Sequence, residues 1–94
     1  MSNFALEVQL RQSAIRDVLL KEWDPIGVAQ FPEARNEYDG YIADVDALVA
    51  RKASQVEIYA HLWRIETDIM GLTGNRQKTE FIAKRLYLIG QAQA

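Results

Sequence analysis

The chain contains no cysteine. That excludes a disulfide framework, a thiol nucleophile and a thiolate metal site, and it fits a reducing, cytoplasmic setting. Histidine is nearly absent too: His61 stands alone, which rules out a His-rich metal centre and leaves little scope for a Ser-His-Asp arrangement. The five glycines are scattered and form neither a P-loop nor a dinucleotide fingerprint. No apolar run approaches the ~20 residues a membrane span needs. The opening MSNFALEVQLRQ is interrupted by Glu7, Gln9 and Arg11, so it lacks the apolar core of a signal peptide. Strand-like alternation, internal repeats and low-complexity tracts are missing as well. Asp44-Val45-Asp46 hints at a calcium loop, but Val49 and Gln55 stand where such a loop needs its glycine and its closing glutamate. The expectation is a protein with no metal, no cofactor and no enzymatic activity.

What is present is helical pattern on a single domain, residues 1–94, too short for a second core. Both prolines, Pro25 and Pro32, fall in the stretch from Trp23 to Tyr41. A first helix, capped by Ser2 or Asn3, is expected to run to about Trp23, with Phe4, Val8, Ile15, Val18 and Leu19 on one stripe. Leu6, Leu10 and Leu20 lie outside that stripe. Either the helix is covered on two sides or it presents apolar surface to a partner, and the need of the last helix to pack favours covering. Asp24-Pro25 stops the helix, because a residue before proline is pushed out of the α region. Ile26, Val28 and Phe31 then tack an ordered loop onto the core.

A second helix is expected from about Pro32 or Asn36 to Lys52. Tyr38, Tyr41, Ile42, Val45, Leu48 and Val49 follow the i, i+3, i+4, i+7 template. Ser54-Gln55-Val56-Glu57 is a capping box that opens a third helix to about Met70, with Gly71 and Leu72 as its terminal cap. The last helix, about Arg76 to Gly90, carries Ile82, Leu86 and Ile89 on one stripe with Phe81 and Leu88 beside it. The tail from Gln91 is expected to fray. The fold expected is all-α: a small bundle of four helices with an ordered Pro/Gly loop between the first two.

Charge is distributed unevenly. Residues 24–51 hold Asp24, Glu33, Glu37, Asp39, Asp44 and Asp46 against Arg35 and Arg51, a net of −4, whereas residues 52–94 hold six cations against four carboxylates, a net of +2. An acidic middle disfavours nucleic acid and favours a basic protein as ligand.

Trp23-Asp24-Pro25-Ile26-Gly27, Pro32-Glu33-Ala34 and Glu37-Tyr38-Asp39 with Tyr41 form a pattern, continued by Arg64-Ile65-Glu66 and Met70-Gly71-Leu72. It resembles a widespread family of small, largely uncharacterised bacterial helical proteins, some of whose members sit beside polymorphic toxin genes as candidate immunity proteins. The likeness covers about residues 14–72 and implies no catalytic residues. It implies a helical fold and, for the immunity role, a toxin domain as partner.

The residues themselves single out two features. Glu66 falls inside the apolar arc of the third helix, so it must be paired; it is expected to brace the Asp24–Phe31 loop through backbone amides, a tyrosine hydroxyl or an arginine. Trp23, Asp24, Pro25, Gly27, Tyr38 and Tyr41 complete that structural motif. The outer face of the second helix carries small residues, Gly40, Ala43, Ala47 and Ala50, between the rim carboxylates Glu37, Asp39, Asp44 and Asp46. That face is the expected surface for a cationic partner, although alanine also serves plain helix propensity on a solvated face. His61 is expected on the polar arc with Glu57, Arg64 and Asp68, solvated. A self-associating module joined through Leu6, Leu10 and Phe81 or Leu88 is the alternative.

Overall fold

The computed structural model describes residues 4–92; the expected cap at Ser2 or Asn3 and the last two residues of the tail lie outside that range. Helix α1 spans Phe4–Asp17 and continues without a break as a π-helical segment, Val18–Trp23. Two short 3₁₀ turns follow, Pro32–Ala34 and Asp39–Tyr41, leading into α2, Ile42–Ala50. Helix α3 spans Gln55–Arg64 and likewise ends in a π segment, Ile65–Ile69, before α4, Arg76–Gln91. The fold is an all-α bundle of four helices, with no strand among the described residues. None of its helices is long and apolar enough to cross a membrane, the search covering the described residues.

The second helix is shorter than its periodicity suggests. Tyr38 is buried and Tyr41 half-buried, so the apolar spacing continues upstream, but the backbone there makes i→i+3 turns: the Tyr41 N–H donates to the Tyr38 carbonyl at 3.0 Å. Repeated tight turns keep the same side chains inward without an α-helix. The capping box forms as spaced, the Glu57 N–H donating to Ser54 Oγ at 3.1 Å. At the other end of α3 the Leu72 N–H reaches the Glu66 carbonyl at 3.0 Å and closes the helix after Gly71.

The core is one cluster. Ile15, Val18, Leu19 and Trp23 from α1 and its π extension meet Ile42, Val45 and Val49 from α2, with Ile58, Leu62 and Ile65 from α3 and Ile82, Ala83 and Leu86 from α4. Helix α4 lies mainly against α3 and also touches α2 and the π end of α1. It therefore leaves the opening turns of α1 bare: Leu6 is 51% and Leu10 62% exposed. The expected second covering of α1 does not occur, because α4 has found its apolar partner in α3. Phe81 and Leu88 on the far side of α4 are exposed too.

Candidate functional site

The Trp23–Tyr41 connection is organised by one carboxylate. Asp24 adopts a left-handed conformation with φ 36°, which turns the chain out of the π segment. Its side chain accepts from the Val28 N–H at 2.8 Å, the Ala29 N–H at 3.0 Å and the Tyr38 hydroxyl at 2.6 Å. The same hydroxyl accepts from the Ile26 N–H at 3.2 Å. Gly27 follows at φ 69°, a conformation costly for a residue with a Cβ. Trp23 and Tyr38 lie with ring centroids 6.0 Å apart beneath the loop. Pro25 and Tyr41 are half-buried at its edges. Burial works to raise the Asp24 pKa, but the Tyr38 hydroxyl, the two amides and the nearby charge of Lys78 outweigh it and hold the carboxyl below its ordinary value. Burial, reinforced by the bond to Asp24, drives the Tyr38 hydroxyl far above its own. The loop is thus a closed hydrogen-bonded device built from the motif residues.

Glu66 is buried, 4% exposed, yet it does not brace that loop. Oε2 accepts from the Asn75 N–H at 2.9 Å and Oε1 from the Thr79 hydroxyl at 2.5 Å. Thr79 Oγ1 in turn accepts from Trp23 Nε1 at 3.3 Å. Asn75 caps α4 through its own side chain, which accepts from the Lys78 N–H at 3.1 Å. A single relay therefore ties the end of α1 to the α3–α4 turn. Trp23 and Glu66 both sit on π segments, whose i→i+5 spacing re-aims side chains that a regular helix would place elsewhere. Thr79 is the member that sequence reasoning missed. Its one signal was a polar residue three positions before Ile82, inside the apolar stripe of α4.

The proposed partner-binding residues divide into two groups. Glu37, Gly40, Ala43, Asp44 and Ala47 are exposed, and a Cβ added at Gly40 would meet nothing within 4 Å. Asp46 is turned inward, whereas Asp39 stays half-exposed but is engaged in an ion pair. Asp46 is 9% exposed; it accepts from Arg11 Nε at 2.5 Å and Nη2 at 3.2 Å, and from Gln12 Nε2 at 3.2 Å. Asp39 accepts from Arg16 Nε at 3.0 Å and Nη2 at 3.1 Å. The reason is rotational. Tyr41 and Leu48 are only half-buried, so the centre of burial on α2 shifts away from them toward Ile42 and Val49. That shift carries Asp46 onto the shoulder where antiparallel α1 lies, while the 3₁₀ turn ahead of α2 sets Asp39 opposite Arg16. The Arg11 hydrogen bond, against the opposing effect of burial and with help from Gln12, holds the Asp46 carboxyl below its ordinary pKa.

His61 is half-buried rather than solvated, with Nε2 buried and without a hydrogen-bond partner among the described residues. Glu57 is occupied by Arg51, whose Nη2 donates to it at 2.7 Å. Among the described residues, no three of His, Cys, Asp and Glu are grouped so as to hold a metal ion. Compared with protein-family models, with curated proteins and with solved structures, the chain matches none.

Proposed function

We propose that this chain is a non-enzymatic, cytoplasmic protein-binding module, most concretely a bacterial immunity protein that neutralises a cognate toxin domain. The contact surface is the outer face of α2 and the turns before it. It is narrower than its sequence suggests, since Asp39 and Asp46 are spent on α1. The observation that supports it is the pair Glu37 and Asp44: both are exposed and neither makes an ion pair among the described residues. Asp44 lies on α2 with the exposed small side chains of Ala43 and Ala47, over which a partner backbone can approach closely, and Glu37 lies in the turns before it. Unpaired carboxylates at the edge of such a face steer a cationic partner and raise its association rate.

The test is association with the product of the adjoining gene, followed by stopped flow across a salt series. Glu37→Lys with Asp44→Lys should slow association about tenfold or more at low salt. Asp39→Asn should have little effect. No complex, or a complex indifferent to both reversals, refutes the proposal.

The exposed side chains of Leu6, Leu10, Phe81 and Leu88 favour a second reading, a homodimer joined through these faces. Light scattering across a concentration series separates the two, because the immunity reading needs no dimer.

A further inference from the structure

A cleft open to solvent lies beside the turns that precede α2. It encloses about 490 Å³ between the end of α1 and the connection before α2, lined by Arg16, Asp17, Leu20, Lys21, Arg35 and Asn36. Its lining is cationic in a chain of net charge −2. Arg35 is exposed, and its guanidinium makes no hydrogen bond or ion pair among the described residues. Lys21 stands 3.6 Å from Asp17, beyond hydrogen-bond reach, with both side chains more than half exposed. Arg16 spends two of its N–H groups on Asp39; a guanidinium has five, so three remain. Three cations against Asp17 and Asp39 leave a net charge of about +1, which one carboxylate neutralises. Both resident acids are themselves carboxylates held by these cations. The half-buried Leu20 offers apolar surface to the methylenes of an acidic side chain. Arg16 also borders a second cleft, of about 300 Å³, lined by Gln9, Gln12 and Ser13.

We propose that this cleft is a carboxylate-binding site that accepts an acidic segment of a partner protein, with Arg35 as its principal ligand and Arg16 and Lys21 as support. A doubly charged phosphomonoester fits less well, because two of the three cations are already partly neutralised. The inference rests on the reading of the chain as a protein-binding module; the cleft adjoins the turns before α2, but its ligands are the cations Arg35, Arg16 and Lys21 and not the carboxylates Glu37 and Asp44.

The experiment titrates the intact protein with acetylated hexaglutamate, and separately with inorganic phosphate and hexalysine. It follows the side-chain Nε–H resonances of Arg35 and Arg16 by NMR and the affinity by calorimetry. Hexaglutamate should shift both resonances saturably and bind more weakly as salt rises. Arg35→Gln should weaken binding about tenfold, the loss expected of a charged hydrogen-bonding partner. Asp17→Asn, which removes a competing carboxylate, should tighten it. The inference is overturned if hexaglutamate leaves the Arg35 resonance unmoved, if Arg35→Gln binds as well as the parent, or if phosphate displaces hexaglutamate at equal concentration. The last result would mark an adventitious ion only. Loss of hexaglutamate binding at Arg35→Gln together with unchanged toxin association at Glu37→Lys and Asp44→Lys would uphold the cleft while the α2 reading fails.

Discussion

Replacing Thr79 by valine is the sharpest test of the buried relay, because the relay and simple hydrophobicity predict opposite signs. Thr79 is fully buried, and valine has nearly its shape with a methyl in place of the hydroxyl. On burial of apolar area alone, Thr79→Val should be neutral or stabilising. The relay predicts otherwise. The hydroxyl donates to a buried carboxylate and accepts from the Trp23 indole N–H, so its loss leaves both groups short of a partner. An unsatisfied buried donor costs about 1–3 kcal/mol, and a hydrogen bond to a charged group is worth about 1.5–3 kcal/mol, so the loss should total roughly 3–5 kcal/mol. That is a large fraction of the about 5–15 kcal/mol that holds a domain of this size together. Thr79→Ser supplies the control: it keeps the hydroxyl and deletes one buried methyl, at a cost of about 1 kcal/mol. Urea unfolding should therefore rank parent, serine variant and valine variant in that order, with unchanged m values. The thermal midpoint should fall about 4–8 °C per kcal/mol. A valine variant as stable as the serine variant, or more so, would show that the relay does not stabilise this fold.

Three other perturbations follow from particular contacts. A Cβ at Gly90 would stand 2.8 Å from the Val49 carbonyl oxygen, whereas at Gly40 it meets nothing within 4 Å; Gly90→Ala should lose about 1–3 kcal/mol and Gly40→Ala gain up to about 1 kcal/mol, read from denaturant midpoints. Tyr38→Phe removes the hydroxyl that bridges Asp24 and Ile26, so it should cost about 1.5–3 kcal/mol and speed amide exchange at Val28 and Ala29. Asp24 and Asp46 both have folded pKa values below their ordinary ones. Their contribution to stability is therefore complete above the ordinary carboxylate value near pH 4 and is lost as the pH falls through the lower folded values. Stability measured from pH 7 to pH 2 should fall on that acid limb, and Asp46→Asn should make the fall shallower.

How much was legible in the sequence depended on how far along the chain each interaction reaches. The capping box at Ser54 and Glu57, the stop at Asp24-Pro25 and the inward stripes of Ile58, Leu62, Ile82 and Leu86 all follow from groups within one or two helical turns. Local backbone chemistry suffices to set them. The ordered loop was legible for the same reason, since Asp24 serves amides four and five residues ahead, although of the three apolar residues expected to tack it down only Val28 packs on the core and Ile26 and Phe31 are exposed.

The tertiary arrangement decided what the polar side chains do. Asp46 and Asp39 read as outward carboxylates until α1 is laid antiparallel to α2, which brings Arg11 and Arg16 opposite them from 35 and 23 residues away. Glu66 was recognisable as a carboxylate in need of partners, but those partners depend on where the turn into α4 brings Asn75 and Thr79. Spacing along one helix fixes an angle about that helix alone. Which neighbour occupies that angle is a property of the assembled bundle, because the energy that selects it comes from apolar surfaces on other segments. So the chain's own pattern determined an all-helical bundle and its core, and only the packing of helix on helix determined which charges stay free to meet another molecule.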